Sequence, residues 1–172
     1  MPLNHLLLAL AVVFVWGTNF VVIRWGLDGG LPPFLFATLR FALSALPWLL
    51  FMPRPAVPWS KLAWFGVLLG VGQFGLLYLA IQGHISPGLA SLVIQLQVFF
   101  TIGLSLLLLK ERVRAFQVVG LLMALGGLAL IALNLGAQVT WLGLGLVLAA
   151  AFFWACANLV AKSAGRVNML HF

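Results

Sequence analysis

The chain alternates long apolar runs with short polar breaks. Six runs of about twenty residues are built from Leu, Val, Ile, Phe, Ala and Gly. They cover about Leu6–Leu27, Pro33–Met52, Leu62–Ile81, Pro87–Leu109, Gln117–Leu135 and Leu142–Ala161. A helix needs roughly 20 apolar residues to cross the ~30 Å hydrocarbon layer of a bilayer, and each run has about that length. None shows the apolar/polar alternation of a membrane β-barrel strand. The breaks consist of turn residues: Asp28-Gly29-Gly30, Pro53-Arg54-Pro55, Gly83-His84-Ile85-Ser86, Lys110-Glu111-Arg112 and Asn134-Leu135-Gly136. Ser86 followed by Pro87 has the order of an N-cap and a first-turn proline, where the missing N–H costs nothing. Links this short make neighbouring helices pack as hairpins. The pattern predicts an all-α, polytopic transmembrane helix bundle with six spans in this sequence.

Composition removes the competing classes. Of 172 residues, 65% are hydrophobic and 6% charged, whereas a soluble domain carries about 25% charged residues to clothe its core. A soluble enzyme, a disordered tail and a fibrous repeat are excluded. The net charge of +7 is too scattered to make a phosphate-binding face, so no nucleic-acid partner is expected. It is explained instead by sidedness. Arg54 and Lys61 fall in the second break, Lys110, Arg112 and Arg114 in the fourth, and Lys162 and Arg166 after the sixth run, while Arg24 is opposed by Asp28. The positive-inside rule puts these loops and the N-terminus in the cytoplasm. Trp25, Trp48, Trp59, Trp64 and Trp141 sit near run ends, where indoles anchor at the interface. The first run lacks a basic n-region and is too long for a cleaved signal peptide. Cys156 is the single cysteine, which leaves no disulfide framework or metal cluster to expect.

The first and sixth runs echo one another. Phe14-Val-Trp16-Gly-Thr-Asn19 is followed by Arg24, and Phe152-Phe-Trp154-Ala-Cys-Ala-Asn158 by Lys162, each basic residue at the same distance from its tryptophan. Five crossings separate the two copies. A five-helix unit duplicated in tandem would therefore insert its copies in opposite directions, the inverted-repeat plan of secondary transporters. On that plan residues 1–136 form a first five-helix repeat and residues 137–172 open a second. Four further helices are then expected after Phe172.

The stretches FVWGTNFVVIRWGL, PPFLFATLRF, SPGLASLVIQLQVFFTIGLSLLLLKERV and FQVVGLLMALGGLALIAL resemble the EamA family of the drug/metabolite transporter superfamily. The motifs that carry the resemblance are Trp16-Gly17-x-Asn19, Leu39-Arg40-Phe41 and the Lys110-Glu111-Arg112 ending of the fourth run. The similarity is greatest to members that export O-acetylserine, cysteine and related amino-acid metabolites. It implies ten transmembrane helices in two inverted five-helix repeats, of which six are present here.

Candidate site residues are the polar and aromatic ones far from the run ends. Trp16 lies about 10 residues, or roughly 15 Å, into its run, close to the membrane midplane, and Asn19 is one turn on. Trp154 and Asn158 reach similar depths and share a helix face. These four present aromatic and amide groups to a central cavity, or else act as interhelical glue worth about 0.6–2 kcal/mol. Arg40 lies about seven residues into the second run. An arginine at such depth costs about 2.5–3.5 kcal/mol on insertion scales, so it must face protein or water. It either points to a cavity, where its guanidinium binds a carboxylate bidentately, or snorkels to the outer interface. Gln95 and Gln97 point nearly opposite ways on the fourth helix, so one lines a path and the other packs; the more central Gln95 is favoured. Gln73 is a further lining candidate. Lys110, Glu111 and Arg112 form a cytoplasmic ion cluster or a gate. Gly66-x-x-x-Gly70 and Gly120-x-x-x-Ala124, with Gly72, Gly75, Gly126 and Gly127, mark places of close helix packing.

Chemistry of other kinds finds no residues here. The acids Asp28 and Glu111 sit at run ends, and no paired carboxylate, HExxH or Ser/His/Asp set falls inside the membrane. No enzyme activity, cofactor or metal is implied. Without a mid-membrane Asp or Glu, proton coupling lacks its usual carrier, which leaves downhill efflux or exchange at least as open. With the resemblance, these observations point to a multi-pass protein of the inner (plasma) membrane. Its expected partners are the lipid bilayer and a small zwitterionic or amphiphilic substrate, exported by alternating access. The alternative is a non-transporting membrane scaffold or assembly subunit, which would tolerate substitution at Trp16, Asn19 and Arg40 so long as the helices pack.

Overall fold

The computed structural model describes residues 3–49, 57–109, 115–133 and 139–164. These residues form an all-α bundle of six helices: α1 (Leu3–Asp28), α2 (Pro33–Leu49), α3 (Trp59–Gly83), α4 (Pro87–Leu108), α5 (Ala115–Leu133) and α6 (Trp141–Ser163). The helices α1, α3, α4 and α6 are long and apolar enough to cross a membrane, and α2 and α5 are shorter apolar helices. Their outer faces carry exposed Leu, Val, Phe and Trp along nearly their whole length, a surface stable in lipid and not in water. Trp25, Trp59, Trp64 and Trp141 are all exposed, as interfacial anchors require. The side chain of Trp48 and the residues Lys110, Glu111 and Arg112 lie outside the described residues.

Two of the long helices depart from α geometry inside the membrane. In α3 the segment Val67–Gly75 is π-helical, and α4 tightens into a 3₁₀ turn at Ile94–Leu96. The hydropathy pattern runs through both without a break, because it records which side chains are apolar and not which carbonyl each N–H bonds. Ser86 caps α4 as its sequence predicts, its hydroxyl accepting from the Leu89 N–H at 3.4 Å with Pro87 following.

Helix α6 is the centre of the bundle, packed along α3 and α4. Its inward face is thin: Gly143, Ala150, Ala151, Ala155 and Ala157 are all buried. In hydrocarbon, helices gain by close van der Waals approach, and small residues permit it. At one end of the bundle Thr140 caps α6, its hydroxyl accepting from the Gly143 N–H at 3.0 Å. The same hydroxyl and the Thr140 N–H both donate to the His84 carbonyl, at 3.1 and 2.8 Å. At the opposite end Lys61 Nζ donates to the Ser163 carbonyl at 2.6 Å, a cation placed on the negative end of a helix dipole. The start of α6 therefore lies beside the end of α3, as does the end of α1, where Arg24 pairs with Asp28 at 2.9 Å and donates to the Ile81 carbonyl at 3.0 Å. Helices α1 and α6 consequently run in opposite directions.

Of the glycines the sequence singled out, Gly72 and Gly75 carry close packing contacts, while Gly66, Gly70, Gly126 and Gly127 do not. No described residue outside their own helix comes near the Cβ positions of Gly66, Gly70, Gly126 and Gly127. The close contacts are phenylalanine rings seated on glycine: Phe36 on Gly26, Phe153 on Gly72 and Phe34 on Gly75. At Gly143 the neighbour is the backbone of His84, which cannot swing aside as a ring can. Gly143→Ala should therefore lower stability by about 1–3 kcal/mol through overpacking. Gly66→Ala, in open space on a helix, should be neutral or stabilising by up to about 1 kcal/mol. Thermal unfolding of the two variants in detergent, followed by loss of helical circular dichroism, checks the contrast.

Candidate functional site

A partly open cavity of about 340 Å³ lies between α1, α2, α3, α4 and α6. Its wall includes Trp16, Asn19, Arg40, Gln73, Gln95, Trp154 and Asn158, so the seven residues picked out by depth stand around one space. The rest of the wall is apolar, chiefly Phe20, Phe65, Leu69, Phe74 and Leu77. An apolar pocket with a few convergent polar groups is the usual form of a small-molecule site.

Local geometry explains how α3 supplies so much of this wall. Phe65, Leu69, Gln73 and Leu77 follow one another at intervals of four. In an α-helix that interval drifts by about 40° per step, which would carry the row off the cavity. The π-helical ladder has more residues per turn and cancels part of the drift, so the row stays aligned.

Arg40 is held inward. Its Nη1 donates to the Tyr78 hydroxyl at 2.7 Å, and its guanidinium lies over the Phe74 ring, 5.1 Å from the centroid. Phe74 is braced edge-on by Phe41 at 5.0 Å and by Tyr78 at 6.0 Å. The cation thus combines one charge-assisted hydrogen bond with a cation–π contact and keeps its other N–H groups available on the cavity side. Of the two readings left open by the sequence, the structure shows the inward one. Tyr78 itself is missed by the depth argument because it stands behind Arg40, fully buried, and does not line the cavity. The signal was present: it is the chain's single tyrosine, and a phenol inside an apolar helix needs a hydrogen-bond partner.

Trp16 and Trp154 meet across the cavity with ring centroids 5.7 Å apart and planes tilted by 40°. Trp16 sits mid-way along α1. The amides divide into three situations. Asn158 Nδ2 donates to Gln97 Oε1 at 3.1 Å, and Gln97 also accepts from Thr101 at 3.3 Å, so Gln97 packs between helices while Gln95 faces the cavity. Asn19 is only partly buried and makes no side-chain hydrogen bond among the described residues. Gln73 is 4% exposed, and its Oε1 is enclosed without a donor. Asp28, the acid among the described residues, is committed to Arg24 at the helix end, which leaves the cavity with a fixed positive charge and no negative one. No His, Cys, Asp or Glu cluster suited to a metal occurs among the described residues.

Fold and cavity together define a class: a multi-pass helical membrane protein with a polar-studded pocket between its helices. Residues 3–133 match the EamA-like transporter family, and the chain belongs to it. It is 47% identical over 158 residues to an Escherichia coli protein named "Probable amino-acid metabolite efflux pump", across 90% of this chain and 52% of that protein. A Salmonella typhimurium protein of the same name is 46% identical over 157 residues, with the same coverage. A Bacillus subtilis protein named "Uncharacterized transporter YoaV" is 30% identical over 164 residues, covering 89% of this chain and 55% of its own. The chain spans about half the length of these curated relatives. No solved structure matches it.

The Arg40–Tyr78 bond should be measurable as a coupling. Arg40→Leu and Tyr78→Phe each leave a partner stranded, so a double-mutant cycle on unfolding free energy should give about 1.5–3 kcal/mol of interaction. Additivity within about 0.5 kcal/mol would mean that the two side chains stand independently.

Proposed function

We propose that the protein exports small amino-acid-related metabolites across the plasma membrane by alternating access, with the cavity around Arg40 as the binding site. The observation that carries this reading is the inward guanidinium. A half-buried cation is held in an apolar wall by Tyr78 and Phe74. Such a group is costly unless it is used, and its free N–H groups suit a carboxylate. Amides and the paired indoles surround it, supplying hydrogen bonds for a polar end and a flat apolar surface for a side chain. The names of the Escherichia coli and Salmonella relatives point to the same cargo.

The antiparallel course of α1 and α6, with Trp16 and Trp154 meeting at mid-membrane, supports a two-repeat plan. We take residues 1–136 as one repeat and residues 137–172 as the start of its inverted copy, with the N-terminus cytoplasmic. The Lys61–Ser163 contact is in keeping with that sidedness, since it gathers Lys61 and Lys162 at one end. Motion of one repeat against the other would then expose the cavity to alternate sides.

Arg40→Ala in the native full-length protein should reduce export at least about 10-fold, the worth of a charge-assisted hydrogen bond, with insertion retained. Efflux of labelled amino acids from cells matched for membrane abundance checks this. Undiminished export would remove Arg40 from the site, and a wild type without efflux would favour a scaffold, in which these residues serve packing alone.

A further inference from the structure

We propose that Gln73 is the group that recognises the amino end of the substrate, its Oε1 accepting a hydrogen bond from an ammonium while Arg40 takes the carboxylate. The assignment rests on the export reading above and adds to it the feature that separates an amino acid from the same carboxylic acid without its amino group.

One acceptor in the wall has no donor among the described residues. A buried amide oxygen without a donor is destabilising, and native structures keep few of them. Gln73 Oε1 is such an atom, on a residue that lines the cavity. It lies in the π-helical segment of α3, the kind of distortion that tends to mark functional positions. The other cavity amides do not share its situation. Asn158 is already bonded to Gln97, while Asn19 and Gln95 are open enough to be served by water. With no carboxylate on the wall, an ammonium entering beside Arg40 must be met by neutral acceptors and by the faces of aromatic rings. Gln73 precedes Phe74, the ring beneath the guanidinium, so one turn of α3 serves both ends of a zwitterion. A dry acceptor also discriminates better than a wet one. An analogue without the donor leaves the oxygen stranded, whereas at an exposed amide water would replace it.

The inference has an unusual signature, because removing the acceptor should weaken recognition without weakening the fold. The native full-length protein is reconstituted in liposomes, and uptake of the proteinogenic amino acids is measured in competition with the des-amino carboxylic acid of each, which has no N–H donor. Wild type should prefer the free amino acid by about 10- to 100-fold, as for a hydrogen bond to a charged group. In Gln73→Leu that preference should collapse, with competition by the des-amino acid unchanged and the substrate-free melting temperature equal to wild type or higher. Gln73→Glu, which keeps an acceptor, should retain the preference. A Gln73→Leu protein that still discriminates, or that melts lower, overturns the assignment while leaving the export reading standing. A wild type that takes up no amino acid overturns the export reading, and this one with it.

Discussion

Close approach between helices is the constraint on which the rest of this structure depends. In lipid, an apolar face gains nothing by hiding from its surroundings, so association rests on fit. Here the fit is made by rings resting on bare backbone, with Phe153 on Gly72 and Phe34 on Gly75. Both glycines fall in the π-helical part of α3, and both neighbours come from other helices. The cavity exists because the helices touch closely along these lines and separate above them. Filling either notch would alter the spacing that sets its width.

Within that frame the polar groups are arranged by desolvation. Arg40 is tolerable at its depth because a phenol and an aromatic face replace part of its hydration, and the remainder is left for water or a ligand. A hydrogen bond from Asn158 to Gln97 ties α4 to α6. Gln73 is not satisfied. The same wall therefore holds a group bonded to a neighbouring helix, which helps to maintain the fold, beside groups without a partner among the described residues, which give the pocket its chemistry.

Much of the fold was legible in the sequence. Pro33 and Pro87 begin their helices where the apolar runs begin, and α3 starts a turn earlier than its run because the helix continues through Ser60 and Lys61 into the interface. The depth of Trp16, Asn19, Arg40, Gln73, Gln95, Trp154 and Asn158 was enough to select the residues that surround the cavity, since polar groups at mid-membrane have few places to go. Three things were hidden. Hydrogen-bond register leaves no mark on hydropathy, so the π and 3₁₀ segments were invisible. Gly66-x-x-x-Gly70 announces a smooth face without naming a neighbour, and no described residue of another helix comes to that face. Tyr78 looked like one more aromatic in an apolar run, and its role emerged only from the helix that packs against it.

The two ends of α6 are fastened very differently. At its first turn two hydrogen bonds from Thr140 to the His84 carbonyl and a glycine pressed on the His84 backbone hold it with little freedom. Towards its last turn it rests by side-chain packing along α3 and α4, with Lys61, on a long flexible stem, reaching the Ser163 carbonyl. A rod so mounted is a lever with its fulcrum at Thr140. Over 23 residues it measures roughly 35 Å, so a tilt of about 5° would displace the far end by about 3 Å while scarcely disturbing the clamp. Trp154 rides more than half-way along that arm, and whatever turns α6 would slide its indole across Trp16.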